Sequence, residues 1–231
     1  METYLSGRVG NLVYFTRGGQ RLVRVVPAKV RQTAATKSWS NAFGEASAAA
    51  KSLRLLLQPV LPVKQDKQMQ NSFSGAVARG IKWLKAGDMQ PLQSIPGLSP
   101  LDCNPATGIK ERFKVSLSVN KVSDSLLEVH IPAFKPSLQI AAPAHTTTID
   151  IHICAASYRL THTKAEGSAQ YLLQIPYNDQ LVPAQLIQLA VPAIQGCLVL
   201  TGMRMCYFTG AREPVMKPAF MPSSIIEAAF Y

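Results

Sequence analysis

Two short segments rich in apolar residues, Leu12 to Phe15 and Leu22 to Val26, lie on either side of Gly18-Gly19, close to the start of the chain. Two consecutive glycines accept the positive φ angles of a tight two-residue turn, so this pattern predicts a β-hairpin that ends at Pro27. Folding about the turn pairs Phe15 with Leu22, Tyr14 with Val23, Val13 with Arg24 and Leu12 with Val25. One face of the hairpin is then apolar, and it needs cover because an isolated ribbon is marginally stable in water.

The spacing of the apolar residues becomes helical after the hairpin. Thr33 or Thr36 can cap the start of a helix, and Pro59 and Pro62 end it. Its apolar stripe contains Trp39, Phe43, Ala46, Ala50, Leu53 and Leu57. We expect this stripe to cover the hairpin.

A second helix is predicted from about Gln65 to Ala86, with Asp66 as its cap and Gly87 as its terminator. Met69, Phe73, Val77, Ile81 and Leu84 lie on its apolar side. Glycines within it, such as Gly80, indicate either a weaker helix or a close contact. Residues 88–108 are rich in Pro, Gly, Ser and Asn, which predicts a linker or a long loop.

The apolar period changes to two in the C-terminal half, which predicts β-strands. The segments are Phe113 to Val119, Leu127 to Ile131, Ile149 to Ile153, Gln170 to Ile175, Leu186 to Val191, Cys197 to Phe208 and Ser224 to Phe230. Strands of this number and spacing indicate an antiparallel β-sandwich of immunoglobulin-like or fibronectin-like form. The predicted fold is therefore α+β, with a basic hairpin and helix in residues 1–62, a second helix and linker in 63–109, and the sandwich in 110–231.

Positive charge is concentrated at the N-terminus. The 231 residues carry a net charge of +11, and residues 1–70 contain 11 basic and 3 acidic side chains. No acidic residue lies between Glu2 and Glu45. The overall composition, 47% hydrophobic and 16% charged, excludes a disordered chain and a coiled coil.

The basic residues of the hairpin and of the segment after it form a candidate polyanion-binding site, since Arg and Lys neutralise phosphates. They are Arg17, Arg21, Arg24, Lys29 and Arg31, with Tyr14 or Phe15 as a stacking platform. The alternative is a charged hairpin edge that prevents edge-to-edge aggregation.

The N-terminus has no apolar core of a signal peptide, so synthesis in the cytoplasm is expected. The longest uncharged stretch, Gln180 to Met203, is interrupted by proline and glutamine, and we predict no membrane span. Four cysteines without a C-x-x-C pair predict buried free thiols and no zinc site.

The N-terminal motifs are GRVGNLVYF at 7–15, RGG at 17–19 and RVVP at 24–27. They resemble an uncharacterised family, a domain of unknown function of Bacteroidota that also occurs in phage-like elements. The resemblance extends in layout to the helix from Thr33 to Pro59 and to Phe73–Val77 at the start of the second helix. It implies a C-terminal β-sandwich and supplies no catalytic residues.

Sequence motifs of the common enzyme classes are absent: there is no nucleophile elbow, P-loop, zincin motif or dinucleotide fingerprint. We therefore predict a protein without enzymatic activity, cofactor or metal. Asp150 and His152 share one strand face near His145, which is consistent with a weak metal site or with the polar outer face of a sandwich. Cys154 is a nucleophile only if a histidine lies on an adjacent strand.

The sequence favours a structural or interaction protein that self-associates within a larger assembly of phage-like, tail or filament type, located in a virion or an extracellular assembly. The apolar C-terminus is expected to dock on the body or on a neighbouring subunit. The candidate contacts are Phe220, Ile225, Ile226, Phe230 and Tyr231. The alternative function is sequence-independent nucleic-acid binding by the basic hairpin, with strong salt dependence.

Overall fold

A computed structural model describes residues 6–26, 33–62, 67–87, 89–92 and 94–231. The described chain divides after Asn41 into two units. It combines helices with antiparallel sheets, which confirms the predicted α+β class. Within these described residues, no helix has the length and hydropathy needed to cross a membrane.

The first unit contains an antiparallel meander of three strands, β1 (Gly7–Val9), β2 (Leu12–Arg17) and β3 (Gln20–Val25), in that order. Gly18 and Gly19 have φ angles of 58° and 77°, as a tight hairpin turn requires. The predicted pairing of β2 with β3 is confirmed at all four positions. Strand β1 was not predicted, and it pairs with β2 on the side opposite to β3.

Helix α1 (Ala34–Leu56) begins in the first unit and continues into the second. The backbone N–H of Thr36 donates to Thr33 Oγ1 at 3.2 Å, so Thr33, one of the two candidate residues, caps the start of the helix. Helix α2 (Lys67–Ala86) ends at Gly87, as predicted. The predicted cap Asp66 lies outside the described residues.

The second unit contains two antiparallel sheets. The strands in chain order are β4 (Leu101–Asp102), β5 (Ser118–Ser123), β6 (Leu126–Ile131), β7 (Thr148–Arg159), β8 (Lys164–Pro176), β9 (Gln185–Ala190), β10 (Cys197–Phe208) and β11 (Ser223–Phe230). The five-stranded central sheet has the order β4-β11-β10-β7-β8, and the three-stranded sheet has the order β5-β6-β9. Short helical turns are α3 (Ile109–Arg112), α4 (Pro136–Gln139) and two 3₁₀ helices, Gly210–Arg212 and Pro218–Phe220.

Both faces of the central sheet contribute to a hydrophobic core, since side chains alternate between the two faces along each strand. On β7, Ile149, Ile151 and Ile153 join a core with the three-stranded sheet. Cys154, Ala156 and Tyr158 of the same strand join a second core with α1 and α2. The two packed sheets agree with the coarse prediction, and a helical layer covers the other side. The immunoglobulin-like or fibronectin-like form stays a prediction.

The apolar stripe of α1 is buried only in its C-terminal part. Ala50, Leu53 and Leu57 pack in the core with the central sheet, whereas Trp39 and Phe43 are 64% and 70% exposed. The four C-terminal members of the stripe therefore cover the central sheet. The predicted domain boundaries at residues 62 and 109 stay a prediction.

The predicted linker is largely packed against the body. Ile95 and Leu98 are fully buried, and the N–H of Ile95 donates to the carbonyl of Ala228 at 2.9 Å. A Cβ added at Gly80 would meet Leu98 Cδ1 at 3.0 Å. Of the two interpretations of the glycines in this helix, a weaker helix or a close contact, the close contact is therefore correct for Gly80. Strand β4 also lies in this segment.

Replacing Gly202 with alanine should destabilise the protein. An added Cβ would lie 2.7 Å from Cγ2 of the buried Val60, and such overpacking costs about 1–3 kcal/mol. Gly44 is the matched control, because it lies in α1 with nothing within 4 Å. Gly44→Ala should stabilise by about 0.5–1 kcal/mol. Urea unfolding measures both changes, and equal effects would contradict the close packing at Gly202.

Candidate functional site

The meander presents two chemically different faces, because directly paired residues on neighbouring strands point to the same side. One row across the three strands joins Arg8, Val13 and Arg24. The next row joins Val9, Leu12 and Val25. We call the first side the arginine face, comprising Arg8, Val13, Phe15, Arg17, Leu22 and Arg24. We call the second side the apolar face, comprising Val9, Leu12, Tyr14, Val23 and Val25.

The predicted polyanion site is thereby divided. Arg17 and Arg24 lie on the arginine face, whereas Arg21 pairs with Thr16 and points to the opposite side. Lys29 and Arg31 lie outside the described residues. The structure adds Arg8, which was not among the predicted site residues because nothing in a three-residue segment indicated a strand.

The two predicted stacking residues also lie on opposite faces. The guanidinium of Arg24 lies 5.6 Å from the ring centroid of Phe15, which is within the range of a cation–π contact. Tyr14 lies on the apolar face, opposite Val23. Nε of Arg8 donates to the carbonyl of Gly10 at 3.0 Å, which orients the Arg8 side chain along its own turn.

The apolar face of the meander is exposed to an unusual degree. Val9, Val23 and Val25 are 52%, 55% and 59% exposed, and Leu12 is 37% exposed. Single exposed apolar residues are common on proteins, but contiguous patches of them mark interaction surfaces. This face is therefore a candidate contact surface that the hairpin pattern already indicated.

The C-terminal residues behave differently from one another. Ile225 and Phe230 are 0% and 2% exposed, because β11 lies between β4 and β10 with these side chains in the core under the helices. These two side chains pack inside the second unit and are not exposed to a neighbouring subunit. The predicted subunit contact is therefore wrong for Ile225 and Phe230. Phe220, Ile226 and Tyr231 are half-buried against the other core.

Asp150 takes part in a structural ion pair. Its Oδ2 lies 2.9 Å from Nη2 of Arg212, and the side-chain amide of Gln174 donates to both carboxylate oxygens at 3.2 Å. His145 is exposed in a loop. In the part of the chain that the structure describes, no three His, Cys, Asp or Glu side chains form a metal-binding group. Because the carboxylate of Asp150 already binds Arg212 and Gln174, the structure gives no support to a metal site at Asp150 and His152.

His152 lies beside Arg204 in the pairing of β7 with β10. It lines a cleft of about 400 Å³ together with Pro59, Gln170 and Leu172. Burial lowers the pKa of His152, the positive charge of Arg204 lowers it further, and Asp150 opposes both effects. The ring is consequently held in its neutral form more strongly than in an unfolded chain.

The four cysteines are free thiols, as predicted. Burial raises the pKa of Cys154 to about 11 and the pKa of Cys103 to about 12. Cys154 Sγ also lies 3.5 Å from the carbonyl oxygen of Leu56. A thiol with so high a pKa is protonated at neutral pH and is a poor nucleophile.

Comparison with known proteins found no family model, no curated protein and no solved structure that matches the chain. The family suggested by the N-terminal motifs therefore stays a prediction.

The lowered pKa of His152 should make stability depend on pH. Below its usual value of 6.5 the unfolded chain takes up a proton that the folded chain resists, so the free energy of unfolding falls as the pH falls. Between about pH 7.5 and about pH 5.5, His152→Gln should lose less stability than the natural protein. Urea unfolding at the two pH values measures this, and equal losses would contradict it.

Proposed function

We propose that this protein is a non-enzymatic structural subunit that self-associates within a larger assembly. The apolar face of the meander carries the proposal, because it exposes four aliphatic side chains in adjacent rows. The concrete form, following the resemblance in the N-terminal motif, is a component of phage-like, tail or filament type with an immunoglobulin-like or fibronectin-like sandwich. Its place is then a virion or an extracellular assembly.

Energetics support a contact at this face. Full burial of an exposed valine or leucine stabilises by about 1.5–3 kcal/mol, so several such residues in one patch favour association. Val9, Leu12 and Val25 form one row, and Val23 lies two residues from Val25 on the same side. A small sheet also needs its apolar face covered to be stable in water, and packing that face against a partner subunit provides this cover.

The polar clusters of the second unit support a structural role. The carboxylate of Asp150 is occupied by Arg212 and Gln174, and Cys154 is held as a neutral thiol by burial. Asp150 joins β7 to Gln174 on β8, and Cys154 Sγ lies 3.5 Å from the carbonyl oxygen of Leu56 in α1. The ion pair between Asp150 and Arg212 holds the 3₁₀ turn at Gly210–Arg212 against β7.

Removing the apolar face should weaken self-association. The double variant Val23→Ser, Val25→Ser takes away two exposed side chains, and about 1.5–3 kcal/mol for each buried one corresponds to at least a tenfold weaker contact. The matched control is Val122→Ser, since Val122 is a 54% exposed valine beside the turn from β5 to β6. The measurement is light scattering after size-exclusion chromatography of nuclease-treated protein at low and high salt.

We expect an assembly that persists at high salt in the natural protein and in the control, and that dissociates in the double variant. A natural protein that stays monomeric at both salt concentrations would overturn the proposal. An assembly that the double variant leaves intact would exclude the apolar face as its contact.

A further inference from the structure

We propose that the arginine face of the meander binds a single strand of nucleic acid, independently of base sequence. The juxtaposition that carries the proposal is Arg8 and Arg24 on either side of Val13, next to the stacked pair of Arg24 and Phe15. This inference goes beyond the proposed function, which uses the opposite face of the same sheet.

The spacing of the arginines suits a phosphodiester backbone. Arg8 and Arg24 are two strands apart, and neighbouring strands lie roughly 4.8 Å from each other, so their backbones are roughly 10 Å apart. Arg17 lies four residues beyond Val13 along β2, on the same side and at roughly 13 Å. Long side chains at these positions can contact successive phosphates of one extended strand.

Among the described residues, no ion pair compensates the charge of this face. Residues 6–26 contain no acidic side chain. Within the described chain, the ion pairs do not include Arg8, Arg17 or Arg24. All three are exposed. Guanidinium groups donate two parallel hydrogen bonds to phosphate, so an exposed and unopposed set of them complements a polyanion.

The aromatic pair favours nucleic acid over an acidic protein. The Phe15 ring with the Arg24 guanidinium above it, flanked by Val13 and by the 39% exposed Leu22, makes a surface that is both apolar and cationic. Bases stack on aromatic rings and on guanidinium planes, and every base has such a face to offer. Carboxylate side chains can pair with the guanidinium, but they have no ring that stacks on this surface. Unpaired bases are required, so the strand must be single.

The test is fluorescence anisotropy of a labelled oligothymidylate, titrated with nuclease-treated full-length protein at several salt concentrations. The double variant Arg8→Ala, Arg24→Ala should bind at least tenfold more weakly. Two lost phosphate contacts should also reduce the slope of log affinity against log salt by about 1.4, since each contact on a single strand contributes about 0.7. Arg8→Lys, Arg24→Lys should keep most of that slope, because the charges remain.

Two further variants distinguish binding at the arginine face from general attraction by the net charge of the protein. Arg21→Ala removes the same charge as Arg24→Ala but on the opposite side, so it should change the affinity less than Arg24→Ala does. Phe15→Leu should weaken binding roughly fivefold or more, with an unchanged salt slope, because it removes stacking and not charge. Circular dichroism and the scattering mass of each variant verify that fold and assembly are intact.

Equal losses in Arg21→Ala and Arg24→Ala would overturn the proposal in favour of unspecific attraction by net charge. Equal competition by polyglutamate would overturn it in favour of an acidic protein partner, and preference for a duplex would overturn the single-strand assignment. Failure here leaves the apolar face untouched, because that face is tested by assembly mass at high salt.

Discussion

The second unit depends on the close contact between the end of α1 and the central sheet. Ser223 Oγ donates to the carbonyl of Val60 at 2.6 Å, and Nη1 of Arg204 donates to the carbonyl of Leu61 at 3.0 Å. Gly202 provides the space that lets the chain approach at this point. Because strands β10 and β11 satisfy the carbonyls of Leu61 and Val60, the segment that follows α1 is anchored to the central sheet.

The hairpin was predictable in detail because its pattern is local. The two-residue turn at Gly18-Gly19 determines which residues of the two strands face each other, and the structure has those pairs. The surface against which the apolar stripe of α1 packs was not predictable in the same way. A helical stripe shows that Leu53 is buried, but not which surface buries it, and the central sheet is formed by residues that follow more than 40 positions later.

The same limit applies to the candidate sites. The sequence identified the arginines near the turn, but only the three-stranded register brings Arg8 to the same face as Arg24. The ion pair of Asp150 with Arg212 joins residues 62 positions apart, and no spacing rule relates them. The C-terminal apolar residues were correctly recognised as packing residues, whereas the choice between body and neighbour needed the strand order.

The alternation of side chains between the two faces of the meander limits how the sequence of this region can vary. Each side of a ribbon collects every second residue, so a slip of β3 by one position would carry Arg24 to the apolar face and would carry Arg21, Val23 and Val25 to the arginine face. Gly10-Asn11 and Gly18-Gly19 prevent such a slip, because two-residue turns leave no slack between the strands. An insertion of a single residue at either turn would therefore mix the chemistry of the two faces without altering the composition of the strands.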